Sequence, residues 1–284
     1  MNDVNESQYD FENLAFHFFR KMEMVIGQTY WPIGDIISGA HDASATAELI
    51  PYLLGACIVL NCPLLSHDLL ASLFARFQTR ICADGAANLI YDTFPAISLE
   101  PESCPYIPDA VVGDLDSLRP DVRSYMESNG VRVHQMPDQD STDLDKSLRF
   151  YEETLPSDAS IRFVAILGTL EAYEGRSDQA FAVYNSMYSN RSGRMRLISV
   201  GKENVSLVLS AGSHRIEVPL SSIGKHCGIV PIFGKVDSLT TSGFEWNMAG
   251  QPTEFGAIVS TNNIMRSQLV AIDTSGPIMF TFVY

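Results

Sequence analysis

A chain of 284 residues with 46% hydrophobic and 19% charged side chains can build one or two folded domains and is too apolar to stay disordered. Its net charge of −15 argues against nucleic-acid phosphate as a partner, and the charge is uneven: residues 191–284 carry 8 Lys+Arg against 6 Asp+Glu, a net +2, which leaves −17 for residues 1–190. Such an acidic body suits a cationic ligand, or an anionic one that arrives with a metal.

In chain order, residues 11–26 (FENLAFHFFRKMEMVI) have helical apolar spacing, and GQTYWPIGDIISGAHDA after them reads as loop. Residues 1–50 therefore form an extension of unclear structure. LIPYLLGACIVLNCPLL is the most apolar stretch, but Pro51, Gly55, Asn61 and Pro63 break it, so no membrane span is expected. From residue 55 the rhythm is regular. ACIVLN is a short apolar strand, and SHDLLASLFARF has helical spacing behind Ser66 as N-cap. TRICAD (strand) leads into GAANLIYD (helix), and DAVVGD (strand) into RPDVRSYMESNG (helix), which has Pro120 near its start and Gly130 beyond its end. VRVHQM (strand) precedes STDLDKSLRFYEET (helix), and IRFVAIL (strand) precedes SDQAFAVYNSMY (helix). This alternation predicts a Rossmann-like, mostly parallel sheet covered by helices over 51–192. After the polar link SNRSGR the runs are short, β-rich and punctuated by Gly and Ser, which predicts an antiparallel β-sandwich over 193–284.

Five cysteines, an odd number with no C-x-x-C pair, suit reduced thiols better than disulfides or structural zinc. The polar, acidic start MNDVNESQYD is no secretory signal, so a cytoplasmic protein is expected.

Ligands of a parallel sheet bind outside the carboxyl ends of its strands. Four polar loops open there: ADGAAN after TRIC, GDLDS after AVV, PDQDSTD after VRVHQM, and LGTLEAYEGRSDQ after IRFVAIL. In an extended chain Asp114 and Asp116 point the same way, as a hard divalent cation such as Mg²⁺ requires. Alone, D-x-D is more often a turn than a metal site. Ser141 or Thr142 can cap a helix with Asp143 and Asp145 in its first turn, and Asp145 falls on its solvated face. That accounts for Asp143 and Asp145 but not for Asp138 and Asp140. An EF-hand is excluded, because its sixth position holds Asp143 and its twelfth Arg149. Neither a G-x-G-x-x-G nor a P-loop motif occurs. Arg176, beside Asp178, and Lys146 supply positive charge for phosphate, and small residues around Gly85 allow close backbone approach. The sum points to metal-assisted phosphoryl-type transfer.

The set ADGAANLIYD, GDLDSLRPDVR, PDQDSTDLDKSL, GRSDQ, TTSGFEWNM and STNN, in this order, resembles thiamin pyrophosphokinase, and VLNCPL resembles that family's first strand. The resemblance runs from about residue 55 to the end. It implies transfer of a pyrophosphoryl group from ATP to the hydroxyl of thiamin, giving thiamin diphosphate and AMP, by a homodimer with shared active sites. It implies Asp114, Asp116 and Asp143 as magnesium carboxylates. Gln139, Asp140 and Thr142, with Lys146, would line the phosphate site. Asp84, Gly85 and Asn88 would face the nucleotide, and Arg176 and Asp178 the transferred phosphates. Trp246, Ser260 and Asn262 would hold thiamin. Ala86 stands where the family usually has a second Gly, and the loop GTLEAYEGR is longer than the family's. Two other readings remain: a metal-dependent glycosyltransferase that uses D-x-D on a nucleotide sugar, and a cation-binding β-module with an acidic α/β partner.

Overall fold

The computed structural model describes residues 28–33, 36, 54–62, 67–74, 76–94, 106–155, 162–168 and 176–284. The expected helix over 11–26, residues 169–175 of the long loop, Ser66 and Cys104 lie outside them. Contacts divide the chain into two units. One gathers Leu53–Val208 with Phe280–Tyr284; the other gathers Leu209–Met279 with the described N-terminal residues.

The first unit is a mixed α/β sheet. Its strands and helices alternate: β2 (Leu54–Val59), α1 (His67–Phe74), β3 (Thr79–Ala83), α2 (Ala86–Thr93), β4 (Ala110–Gly113), α3 (Pro120–Ser128) and β5 (Arg132–Gln135). There follow α4 (Asp143–Thr154), β6 (Arg162–Leu167), α5 (Ser177–Asn190), β7 (Met195–Val200) and β8 (Asn204–Leu209). The strand order is β8-β7-β6-β2-β3-β4-β5, with the last strand, β15 (Ile278–Val283), beside β8. From β7 to β5 every pairing is parallel. The central strands have no polar face because helices cover both sides: Cys57, Ile58, Val59, Val111, Val112, Val164, Ala165 and Ile166 are fully buried. Strand order reverses at β2, which has β3 on one side and β6 on the other. In such a sheet that reversal opens a crevice at the carboxyl edge.

The division of the chain differs from a boundary near 192. β7 pairs parallel with β6 from Arg162↔Met195 to Leu167↔Val200, and β8 turns back antiparallel on β7. Both runs look like the β-rich segments after them, and only the long-range pairing with β6 assigns them to the first sheet.

The second unit is β-rich. It contains β1 (Gln28–Pro32), β9 (Gly212–Glu217), β10 (His226–Val230), β11 (Val236–Ser242), β12 (Ala249–Thr253), β13 (Ser260–Ile264) and β14 (Leu269–Thr274). Five of them form a sheet in the order β1-β9-β14-β11-β12, and β10 pairs antiparallel with β13. The segment read as loop around residue 30 is a strand. It pairs parallel with β9 from Gln28↔Ser213 to Pro32↔Glu217, so it has no hairpin partner nearby to reveal it. Trp31 is 3% exposed, and its indole N–H donates to His214 Nδ1 at 3.3 Å. His214 Nε2 lies 2.9 Å from the Ser210 carbonyl, which places the imidazole proton on Nε2. The Tyr30 hydroxyl donates to Glu217.

Since a buried Trp cut to Ala costs about 3–5 kcal/mol in a well-packed core, Trp31→Ala is expected to lose that much in urea unfolding. A loss below about 1 kcal/mol would show that β1 is only laid on the sheet.

Candidate active site

The carboxyl edge of the first sheet collects the acidic residues because each strand ends there. β3 runs into Asp84, which turns the chain with φ +44°, and β4 runs into Asp114, with Leu115 at φ +69°. These left-handed residues fold the loops back over the sheet, so ligand oxygens of Asp84, Asp114 and Asp116 all come within 4.8 Å of one another. Gly113 makes the approach feasible. A Cβ there would lie 2.7 Å from Asp84 Cβ and 3.1 Å from Asp143 Oδ1.

Asp84 is 2% exposed. Its Oδ2 accepts the Ser117 N–H at 3.2 Å, and its buried Oδ1 has no hydrogen-bond partner. Burial pushes this carboxyl up to about 6; the charges of Asp143, Asp114 and Asp116 add to the effect and the Ser117 N–H opposes it. Asp114 is the opposite case. Lys146 Nζ donates to its Oδ2 at 2.9 Å and Gln139 Nε2 at 3.2 Å, while Gln135 Nε2 holds its carbonyl at 2.9 Å. The Lys146 ammonium keeps Asp114 below the usual carboxylate range.

The expected residues divide. The structure brings Asp114 and Asp116 together with Asp84, the residue expected beside the nucleotide. Asp143 lies beside them and, like Asp114, accepts Lys146 Nζ, here at 3.0 Å. Lys146, expected to face phosphate, is 1% exposed and bonded to two carboxylates. Asn88 spends its amide on the loop after β4: Nδ2 donates to the Ser117 carbonyl at 2.8 Å, and Oδ1 accepts the Arg119 N–H at 3.1 Å. Gly85 lets Asn61 and Ser117 approach, since a Cβ would lie 2.5 Å from Asn61 Nδ2. Gln139 and Asp140 are exposed on the turn before α4. Asp138 makes that turn, accepting the Asp140 N–H at 2.9 Å and the Ser141 hydroxyl at 2.5 Å. The Ser141 hydroxyl holds its carboxyl below the usual range. Arg176 and Asp178 form an exposed two-bonded pair at the start of α5.

Thr142 caps α4. Its hydroxyl oxygen accepts the Asp145 N–H at 3.1 Å, and the Asp145 carboxylate accepts the Thr142 N–H at 3.2 Å, a reciprocal capping box. Asp145 also accepts the buried Ser186 hydroxyl of α5 at 2.6 Å. It is therefore a junction between two helices and not a solvated face residue.

Beside the cluster lies an open cleft. Leu60, Cys62, Leu144 and Val183 give it apolar walls, and Asn61, Thr142, Asp143 and Gln179 give it polar ones. Asn61 lies in VLNCPL and Gln179 in GRSDQ, but neither side chain was singled out as a site residue by the sequence.

In the second unit Trp246 is 60% exposed and sits in a bend between β11 and β12. It is not on a regular strand, so it and Glu245 do not alternate between faces; both are exposed, and Glu245 accepts Arg266 Nε at 2.6 Å. The residue that fixes the bend is Asn263, which is 2% exposed. Its Oδ1 accepts the Trp246 N–H at 3.2 Å, its Nδ2 donates to the Trp246 carbonyl at 2.8 Å, and Nδ2 lies 3.4 Å from Ser260 Oγ. Asn262 beside it is exposed with φ +56°.

Residues 70–199 match the family described as thiamin pyrophosphokinase, catalytic domain, and residues 213–279 the thiamin pyrophosphokinase, vitamin B1 binding domain. The rice (Oryza sativa subsp. japonica) protein thiamine pyrophosphokinase 3 is 34% identical over 218 residues, 74% of this chain and 80% of its own. Rice thiamine pyrophosphokinase 1 is 32% identical over 216 residues with the same shares. The crystal structure of yeast thiamin pyrophosphokinase superposes with a TM-score of 0.73 at 20% identity, covering 91% of this chain and 92% of that one.

Two outcomes follow from the site. An acid whose folded pKa lies above its unfolded one binds its proton more tightly when folded, so Asp84 costs stability as pH rises from about 4 to about 6. Asp84→Asn is expected to raise the melting temperature in EDTA at pH 8 and to leave it nearly unchanged at pH 4; an equal effect at both would refute the charge argument. Asp145→Ala removes the capping box and is expected to cost about 1–2 kcal/mol in urea unfolding, whereas a silent variant would return Asp145 to the solvated face.

Proposed function

The chain belongs to the thiamin pyrophosphokinase family, whose reaction moves a diphosphoryl group from ATP to thiamin, and we propose that the carboxyl edge of its parallel sheet is where that transfer occurs. The observation that carries this location is the buried, unpartnered Oδ1 of Asp84 beside Asp114 and Asp116. A carboxylate oxygen withheld from both water and hydrogen bonds is costly unless a cation completes it. Three hard oxygen ligands fit Mg²⁺.

Asp84, Asp114 and Asp116 would hold the ion, with Asp143 next to them. When bound, it neutralises phosphate charge that the acidic rim would otherwise repel. The thiamin hydroxyl oxygen bonds to the β-phosphorus of ATP, the bond from that phosphorus to the α–β bridging oxygen breaks, and AMP leaves with the bridging oxygen while the hydroxyl proton is released. Gln139 orients Asp114. Gln139 and Asp140 border the transferred phosphates, and Thr142 fixes the helix that carries Asp143. Arg176 exchanges Asp178 for phosphate oxygens, a task suited to a planar guanidinium. The cleft along β2 takes the nucleoside end of ATP, with Asn61 and Gln179 for the edges of the base and Gly85 and Asn88 keeping the adjoining loops in place.

The parallel run of strands forms the Rossmann-like half of the protein and the second unit the sandwich half, which binds thiamin through Trp246, Ser260 and Asn262. An exposed indole suits a fixed thiazolium charge, with an attraction of about 0.5–2 kcal/mol. Trp246, Phe255 (66% exposed) and Ile258 (57% exposed) leave apolar surface that a second copy covers in a two-fold dimer with shared active sites. The free thiols of Cys57, Cys62, Cys82 and Cys227 suit a reducing cytoplasm. Among the described residues no helix is long and apolar enough to cross a membrane.

Purified protein with ATP, Mg²⁺ and thiamin is expected to form AMP and thiamin diphosphate in equal amounts; accumulation of ADP would refute the reaction. Asp114→Asn and Asp116→Asn should each lower kcat at least about 100-fold, the size of losing one preorganised electrostatic contact, and an unimpaired variant would move the site. Trp246→Ala should raise the thiamin KM roughly tenfold, a loss of about 1.4 kcal/mol, with the ATP KM steady and Trp246→Phe recovering much of it. A variant that shifts neither KM places thiamin elsewhere.

A further inference from the structure

Lys146 is the one long cationic side chain among the largest fully buried residues described in the protein. It lies one turn into α4, three residues after Asp143, so the two share a helix face. Its Nζ meets Asp114 Oδ2 at 2.9 Å and Asp143 Oδ1 at 3.0 Å. An ammonium has three N–H bonds, and two are committed here. Pulling it outward to a phosphate would leave Asp114 and Asp143 facing each other beside a buried Asp84, without the ammonium that joins them.

The geometry assigns Lys146 as a positioning residue: it stays between Asp114 and Asp143, sets their spacing and tempers the hold of the cluster on a divalent cation, and it does not touch the transferred phosphates. The assignment rests on the reading of Asp84, Asp114 and Asp116 as the ion's ligands. A resident positive charge beside those ligands opposes a second cation. It prevents the free protein from trapping a divalent ion, which then enters and leaves with the nucleotide. Lysine suits the task as a compact charge on a flexible stem, where a guanidinium fork would need more room.

The test is Lys146→Met, which keeps the stem and removes the charge. Mn²⁺ binding to the substrate-free protein is followed by electron paramagnetic resonance, alongside kcat and the ATP KM. The expected pattern is tighter Mn²⁺ binding by roughly tenfold or more, a kcat lowered at least tenfold, as expected for misplaced carboxylates, and an ATP KM within about threefold of wild type. A raised ATP KM with unchanged Mn²⁺ affinity would make Lys146 a phosphate contact and overturn the proposal. A lowered melting temperature with all three quantities unchanged would make it packing alone, and overturn it too. In Lys146→Met/Asp143→Asn one charge of each sign is gone, and Mn²⁺ affinity should return to within about threefold of wild type. That variant carries the test if the single one fails to fold, and a tenfold departure in either direction overturns the assignment. Asp116→Asn in the otherwise native chain is the separate control: if it leaves Mn²⁺ binding intact, the ligand reading fails whatever the Lys146 variants do.

Discussion

Like charges crowded at one edge of a parallel sheet are the constraint on which the site depends. Four carboxylates, those of Asp84, Asp114, Asp116 and Asp143, meet where β3 and β4 end and α4 begins. Two of them share the Lys146 ammonium at 2.9 and 3.0 Å. The remaining repulsion shows in Asp84, whose carboxyl is pushed up to about 6, first by burial and then by its neighbours. A chain would not settle into this arrangement unless the surrounding structure imposed it. Gly113 yields the space, the left-handed residues Asp84 and Leu115 aim the loops, Asn88 ties down the loop after β4, and the Thr142–Asp145 box fixes where α4 starts. The glycine and the two left-handed residues give up local stability or freedom to keep the cluster together, as expected of a site whose ligands are charged.

The strand–helix alternation from β2 to α5 was legible in the sequence because it depends on local pattern: short apolar runs, amphipathic spacing, and caps such as Thr142 and Pro120. Asp114 and Asp116 stood out as two carboxylates two residues apart at a strand end, but D-x-D alone reads as a turn, and only the structure shows Asp84 beside them. What stayed hidden depends on partners distant in sequence. β1 has the composition of a loop and becomes a strand only because β9, more than 180 residues later, offers an edge. β7 and β8 read like the β-rich runs that follow them, and pairing with β6 alone assigns them to the first sheet. Asp145 was misplaced because Ser186 cannot be seen from α4. Lys146 resembles any surface lysine of an amphipathic helix until the structure shows Asp114 on its other side. Asn263 holds both backbone groups of Trp246, and nothing local distinguishes it from Asn262 before it.

The two units handle charge in opposite ways. The first gathers negative charge, which suits a metal-bound nucleotide and repels a bare one. The second offers an exposed indole, with Glu245 beside it tied up by Arg266, which suits a cationic ring. Trp246 therefore faces solvent with its backbone held and its side chain uncommitted, the state expected of a surface that waits for a ligand.

The most direct test of this account is to locate a divalent ion in the protein. Crystals grown with Mn²⁺ and a non-hydrolysable ATP analogue, measured at the manganese edge, are predicted to show an anomalous peak bounded by Asp84 Oδ1 and the carboxylates of Asp114 and Asp116, with Lys146 still between Asp114 and Asp143. A peak away from Asp84, or a Lys146 ammonium drawn out to the phosphates, would contradict it.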